Sequence, residues 1–185
     1  NLLLEAVAET SEEAMEKFFN GEDFTEEEIK AGLRKGVLNG DVVPVLVGSA
    51  ANLIGVHTLF DMMFNYMPTP EESRGGIVYG KNPDTQEKVE RKVSTDEPFS
   101  AFVFKTIVDP FIGKISLFRV VSGSLTKDME VLNATQGRKE RISNLYFVRG
   151  IKQRDTDRVV AGDIAATTKI QDLKTGDTIC DKANP

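Results

Sequence analysis

The sequence Pro68-Thr69-Pro70 separates two parts of the chain with different hydrophobic patterns, and this break limits the possible folds more than any other feature. Before it, apolar residues recur at helical spacing, most clearly between residues 56 and 67. After it, short apolar stretches rich in β-branched residues lie between turn sequences at intervals of about 8–12 residues. Because proline ends helices, we expect a helical part followed by a separately folded part built of strands.

The second part has the pattern of an antiparallel β-protein. We predict strands at residues 99–104, 115–121, 129–132 and 164–168. The turn sequences are Asp109-Pro110, Ser122-Gly123, Gln136-Gly137, Ala161-Gly162 and Thr175-Gly176. Short strands at this spacing are typical of a β-barrel or a β-sandwich.

Residues 1–40 are predicted to form acidic helices. Thr10 and Glu13 have the spacing of a capping box, as do Thr25 and Glu28, and Gly36 indicates the end of the second of these helices. The segment holds ten acidic and four basic side chains, so it carries the whole formal charge of −6. This uneven charge also favours separate structural units.

The run Val42-Val43-Pro44-Val45-Leu46-Val47 is continuously apolar and predicts a strand buried on both faces, as in a parallel sheet. With the turn Gly48-Ser49-Ala50 and the helical pattern that follows, it forms a strand–loop–helix unit of an α/β domain. One such unit cannot make a sheet, so we expect its other strands in a longer protein, upstream of Asn1.

Several classes of protein are disfavoured by composition. The single cysteine, Cys180, cannot form an internal disulfide, which favours a cytoplasmic location. The single histidine, His57, leaves little material for a metal site. Ser49, His57 and Asp61 could suggest a catalytic triad, but the chain has no Gly-x-Ser-x-Gly turn, and surface exposure explains these side chains. No apolar run is long enough to span a bilayer.

The order and spacing of short motifs along essentially the whole chain resemble translation elongation factor G, the ribosomal translocase. The matching motifs are Thr25-Glu26-Glu27-Glu28-Ile29-Lys30, Pro44-Val45-Leu46-Val47-Gly48-Ser49-Ala50, Asp109-Pro110-Phe111-Ile112-Gly113-Lys114, Gly137-Arg138-Lys139-Glu140-Arg141-Ile142 and Thr175-Gly176-Asp177-Thr178, with shorter matches at residues 3–9, 118–123 and 161–165. Residues 51–55 and 146–158 depart from the family's pattern, the second stretch with Phe147-Val148-Arg149-Gly150, and this suggests a divergent paralogue.

The resemblance implies a mixed fold in two domains. Residues 1–70 would be the C-terminal part of an α/β P-loop GTPase domain, made of a helical insert and the domain's last strand and helix. Residues 71–185 would be the second domain, a closed antiparallel β-barrel shared by translational GTPases. The parent protein would couple GTP hydrolysis to the movement of tRNA and mRNA through the ribosome.

The resemblance also implies a remnant of a guanine-recognition loop at Gly48, Ser49 and Ala50. The parent would use GTP and Mg²⁺, but no Gly-x-x-x-x-Gly-Lys-Ser/Thr sequence occurs in this chain. We therefore expect the chain alone to bind neither, and we assign it no catalytic residue and no metal ligand.

A basic segment supplies candidate RNA contacts. Six cations and one acid lie between residues 138 and 154, a local balance of +5. The cations are Arg138, Lys139, Arg141, Arg149, Lys152 and Arg154. The resemblance implies that they meet phosphates of small-subunit ribosomal RNA, with Lys114 as a further contact, while the acidic helices meet ribosomal stalk proteins. It implies a cytoplasmic, monomeric protein that binds ribosomes and no membrane.

Three alternatives remain open at this stage. The basic segment could be an ordinary solvated strand face. The chain could be a stand-alone β-barrel that binds RNA or protein, with no nucleotide enzyme attached. Its parent could also be another translational GTPase, such as a ribosomal-protection or release-type factor, although the motifs in residues 1–40 favour elongation factor G.

Overall fold

The computed structural model describes residues 2–150, 152–170 and 172–185. The chain divides into two units, Asn1–Ser73 and Arg74–Pro185. This division lies close to the break at Pro68-Thr69-Pro70, while the assignment of residues 1–70 and 71–185 to named domains stays a prediction. The α-helices of the first unit are α1 (Leu2–Ala8), α2 (Glu12–Phe19), α3 (Glu26–Asn39) and α4 (Val56–Tyr66). None of the described helices combines the length and the apolar character needed to cross a membrane.

The N-termini of α2 and α3 are fixed by capping side chains. Helix α3 begins as predicted, because Thr25 and Glu28 form a complete capping box. Helix α2 is capped one residue later than predicted: the Ser11 hydroxyl accepts a hydrogen bond from the Ala14 N–H at 3.2 Å. The predicted cap, Thr10, instead donates its hydroxyl to a carbonyl of the preceding helix.

Gly36 does not end α3, so that prediction is wrong. The helix continues to Asn39 and ends at Gly40, whose φ of +85° is a conformation that glycine adopts without strain. Gly36 is buried, and a Cβ atom there would lie 2.6 Å from Cγ2 of Val42. The glycine therefore allows the chain beyond the helix to pack closely against it.

Two ion pairs join α3 to its neighbours. Arg34 contacts Glu72 at 2.6 Å and donates to the Asn65 carbonyl at 2.9 Å, and Lys17 contacts Glu28 at 2.8 Å. The pKa of Glu72 is lowered to about 2, mainly by the hydrogen bond from Arg34 and then by those from Thr69, and the pKa of Glu28 is lowered to about 2, mainly by the hydrogen bond from Lys17 and then by those from Thr25. Their stabilising effect is therefore complete above pH 4.5 and is lost as the pH falls from 4.5 towards 2.

The predicted α/β part is not observed. Residues 42–48 belong to no strand and no helix, and Val43, Val45 and Val47 are 78%, 87% and 94% exposed. A buried strand needs neighbours on both sides, and the described residues of this unit supply none. The helices of residues 1–40 are present, but they pack on one another and on α4 rather than on a sheet, so the predicted helical insert is not seen either.

The strands described in the second unit pair only in antiparallel fashion. They are β1 (Ile77–Lys81), β2 (Lys88–Lys92), β3 (Ser100–Asp109), β4 (Gly113–Ser122), β5 (Ser124–Thr126), β6 (Glu130–Asn133), β7 (Arg138–Arg141), β8 (Tyr146–Arg149), β9 (Lys152–Asp155), β10 (Arg158–Val160), β11 (Ile164–Thr168) and β12 (Thr178–Cys180). The four predicted strands are confirmed within β3, β4, β6 and β11. The described chain is thus mostly β, with four α-helices.

The prediction of a closed barrel is wrong. Eight strands form one sheet in the order β7-β6-β12-β3-β4-β11-β8-β9, and within the described residues its two edge strands do not pair with each other. Two further pairs, β1 with β2 and β5 with β10, form separate small sheets. Both edge strands are only four residues long and rich in charge, features that oppose edge-to-edge pairing.

The core of the second unit is set by strand alternation. On β3, Ala101 and Val103 are fully buried while the residues between and beside them face outward. The same alternation on the other strands gives one cluster of buried side chains. It contains Phe99, Ala101, Val103, Phe118, Val120, Leu125, Val131, Ile142, Leu145, Val159, Ala165, Ile170, Leu173 and Ile179.

A buried carboxylate links the strands around this core. Asp177 is 4% exposed, and its Oδ2 accepts hydrogen bonds from Asn133 Nδ2 at 2.9 Å, Gln136 Nε2 at 2.6 Å and the Lys174 N–H at 2.8 Å. Its carbonyl accepts from the Val103 N–H at 2.9 Å. This residue therefore connects the β6–β7 turn, the loop before β12 and the strand β3.

We predict that Asp177→Ala destabilises the second unit by about 2–4 kcal/mol, because three donors, two of them from buried or half-buried side chains, lose their acceptor. Chemical denaturation measures the loss. Asp172→Ala is the matched control: it removes an exposed ion pair with Arg138 and should cost at most about 1 kcal/mol. Equal costs for the two variants would contradict the role given to Asp177.

Candidate functional site

The predicted guanine-recognition loop closes on itself. The Ser49 N–H donates to the Ile54 carbonyl at 2.9 Å, and the Ile54 N–H donates to the Ser49 carbonyl at 3.0 Å. A Cβ atom on Gly48 would lie 2.7 Å from the Ile54 carbonyl oxygen. The loop's own closure is thus sufficient to explain why a glycine stands at position 48.

One backbone donor of the predicted guanine-recognition loop is already engaged, and binding of GTP or Mg²⁺ stays a matter of prediction. The Ser49 N–H is engaged within the loop, so it is not available to a guanine carbonyl, while Ala50 is exposed. No group of three or more carboxylate, histidine or cysteine side chains that could hold a metal occurs among the described residues. His57 and Asp61 are exposed, and no hydrogen bond within the described residues joins either to Ser49.

Three of the predicted RNA contacts lie on the edge strand β7. Arg138 forms an ion pair with Asp172 at 2.9 Å, and Arg141 forms one with Asp128 at 3.3 Å. Lys139 lies opposite Leu132 in the register of β6 and β7. Because exposed ion pairs contribute little free energy, a phosphate could replace either aspartate as the partner of its arginine.

The remaining residue of β7, Glu140, is an acid whose charged form is disfavoured. Burial raises the pKa of Glu140, and the negative charge of Asp172 raises it further. Glu140 is half-buried, opposite the core residue Val131. It therefore faces the core side of the strand, and the three cations of β7 are exposed.

The remaining cations of the predicted segment lie at the other end of the sheet. Arg149 and Lys152 are directly paired between β8 and β9, and Arg154 is paired with Phe147. In the strand order, β7 is at one end and β9 at the other. The basic segment is thus divided into two groups of three cations, and which of them binds RNA stays a prediction.

Lys114 lies at the base of an ordered hairpin tip. It is the second residue of β4, paired with Val108 on β3. The Asp109 carboxylate accepts hydrogen bonds from the Phe111 N–H at 2.8 Å and the Ile112 N–H at 2.9 Å, and these two donors lower its pKa, that of Ile112 having the larger effect. An aspartate that bonds the two following amides defines the turn.

The tip also carries an exposed aromatic residue that sequence analysis did not select. Phe111 is 97% exposed, and Val108 and Ile112 on either side of it are exposed too. The sequence signal was present: Asp109-Pro110 predicts a tight turn, and a large apolar residue in a turn is placed in solvent. An exposed ring next to a cation is a suitable contact for an unstacked base.

Comparison with known proteins finds a family match within the second unit. Residues 98–182 match the family model described as elongation factor G domain 2, and the match includes every strand from β3 to β12. The crystal structure of a protein from Thermus thermophilus is similar to this chain, with 27% sequence identity and a TM-score of 0.73. The similarity covers 98% of this chain and 24% of that one, so this chain spans about a quarter of that protein's length.

We predict that Asp109→Ala loosens the hairpin tip without unfolding the sheet, because the Phe111 and Ile112 amides lose their acceptor. Amide hydrogen exchange at these two residues should become faster, and the core strands should keep their protection. In the unchanged protein, the turn's stabilisation should be complete above pH 3.8 and weaken as the pH falls below it, since the folded pKa is lowered.

Asp84→Ala, in the turn between β1 and β2, is the control of equal charge change. If it accelerated exchange at Phe111 and Ile112 as much as Asp109→Ala does, the effect would be one of net charge and not of the turn.

Proposed function

We propose that the chain is part of a translation factor that docks on the ribosome, because residues 98–182 match the family model of elongation factor G domain 2. The single observation that carries the proposal is the family match over all strands of the main sheet. The likeness of nearly the whole chain to a protein about four times as long supports a longer parent. The parent would be an elongation factor G-like GTPase that couples GTP hydrolysis to tRNA and mRNA translocation.

Within that protein, the part described by residues 74–185 acts as a docking domain. Its exposed cations bind phosphates of small-subunit ribosomal RNA, and each neutralised phosphate releases condensed counterions. The β7 cations are the first choice, because three of them lie on one short edge strand and their ion pairs are weak. Lys114 adds a cation beside the exposed Phe111 at the hairpin tip.

The acidic helices of residues 1–40 have a different role. Their exposed glutamates would meet basic surfaces, of which ribosomal stalk proteins are the candidates that the resemblance implies. The same charge repels RNA, although salt at about 0.1 M screens this repulsion beyond about 10 Å.

We predict that Arg138, Lys139 and Arg141, changed together to alanine, weaken binding of the chain to small ribosomal subunits and lower its salt dependence. The plot of log affinity against log salt should become less steep by about 0.7–0.9 per lost phosphate contact. Binding is measured over a salt series from low to physiological ionic strength.

The matched control changes Arg149, Lys152 and Arg154 to alanine, which removes the same charge from the other end of the strand order. If only this control variant weakened binding to the ribosomal subunits, the phosphate contacts would have to be assigned to β8 and β9 instead of β7. If neither triple variant changed the slope, phosphate contacts by these cations would be disproved. Equal affinity for ribosomal and unrelated RNA would instead favour a stand-alone RNA-binding module.

We also predict that the chain alone shows no GTP or GDP binding in calorimetric titration at micromolar nucleotide. Only one guanine-recognition element is proposed in it, and the phosphate-binding sequence is missing from residues 1–185. One-to-one micromolar binding would contradict this prediction and would require a phosphate site that the motifs do not reveal.

A further inference from the structure

The outer face of the main sheet carries a row of side chains that the docking function does not use. Phe102 on β3 is paired with Arg119 on β4 and with Thr178 on β12. Directly paired residues of antiparallel strands point to the same face. These three side chains therefore stand side by side, on the face opposite the core residues Ala101, Val120 and Ile179.

The hairpin of β1 and β2 forms the opposite wall of a cleft over this row. Val78 is paired with Arg91, and Gly80 with Val89, so these four residues share one face of the hairpin. All four line the cleft together with the row on the sheet, and its volume is about 260 Å³. The walls are mostly apolar, and Cys180, 3% exposed, forms part of the floor.

Gly80 leaves space within this cleft. A Cβ atom built on it would have no other atom within 4 Å, and its φ lies outside the left-handed region. A larger side chain could therefore stand at position 80 without backbone strain. The space at Gly80 is therefore left open although the backbone there would tolerate a side chain that fills it.

The charged side chains that line the cleft are Lys81, Arg91 and Arg119, which are all basic. Arg91 is engaged within the protein: it donates to the Pro98 carbonyl at 3.1 Å, to the Phe99 carbonyl at 3.2 Å and to the Asn184 carbonyl. Arg119 is exposed, and its guanidinium makes no hydrogen bond or ion pair with any other described residue. No acidic side chain is among the described residues that line the cleft.

We propose that this cleft is a binding site for a small carboxylate with an aromatic or branched apolar body. Arg119 binds the carboxylate, for which a guanidinium offers two parallel donors. Phe102, Val78 and Val89 pack on the body of the ligand. The volume lies just below the usual range of ligand pockets, about 300–1,000 Å³, which fits one ring with a short chain. This site is independent of the proposed ribosome docking, whose cations lie elsewhere.

The single cysteine of the chain makes the test specific. Cys180 is part of the cleft floor and is buried, so its alkylation by iodoacetamide requires the cleft to open; a bound ligand should oppose this opening and slow the alkylation, which mass spectrometry measures on the full chain. The probe is 3-phenylpropionate, and the uncharged control is 3-phenyl-1-propanol. We expect saturable protection by the carboxylate with a dissociation constant on the order of 1 mM, as suits so small a ligand. Amide shifts at Phe102 and Thr178 in NMR titrations provide a second readout.

Two variants separate the contributions. Arg119→Gln should weaken binding of the carboxylate about tenfold and leave that of the alcohol unchanged, because the loss is a charge-assisted hydrogen bond. Gly80→Val should abolish binding of both by filling the cleft, while denaturation confirms that it folds. The proposal is overturned if the carboxylate neither protects Cys180 nor shifts these amides, if Arg119→Gln binds it as well as the parent does, or if Gly80→Val still binds.

Discussion

The second unit depends on the hydrogen bonding of one buried carboxylate. A charge removed from water is tolerated only where several donors replace the water, and Asp177 gains three of them from separate parts of the chain. One of these donors, Gln136, also bonds the carbonyl of Asp172, whose side chain pairs with Arg138 on β7. A series of contacts therefore runs from the buried carboxylate to the first cation of the edge strand, whose position is set mainly by the pairing of Arg138 with Asn133 on β6.

The charged residues of β7 and β9 serve the fold as well as the proposed function. An exposed edge strand presents unpaired backbone groups that could bind another strand, and charged side chains prevent this. The cations of both edges meet that requirement in any solvent-exposed sheet. Cations that keep the strand edges soluble can also bind phosphates. The sequence therefore looks the same for a strand that is only solvated and for one that binds RNA.

Prediction from sequence succeeded for elements that local interactions define and failed for elements that depend on a partner strand. The helix α4 and the strands β3, β4, β6 and β11 were predictable, since local periodicity and turn residues define them. The strand β7, with the sequence Arg-Lys-Glu-Arg, has no alternation of apolar and polar residues. It is held in the extended form by its pairing with β6. The reverse holds for residues 42–47, where an apolar run suggested a strand but no partner lies beside it. The identities of the candidate cations were visible, whereas their division between two sheet edges required the strand order.

The position of β12 has a consequence for the order of synthesis. This three-residue strand lies between β6 and β3, so it alone joins the β6–β7 hairpin to the remaining strands of the main sheet in the described chain. On a translating ribosome, the hairpin of β3 and β4 can form early because its contacts are local. The two halves of the sheet can be united only after residues 178–180 have left the exit tunnel, and until then the nascent chain exposes the strand edges that β12 later covers.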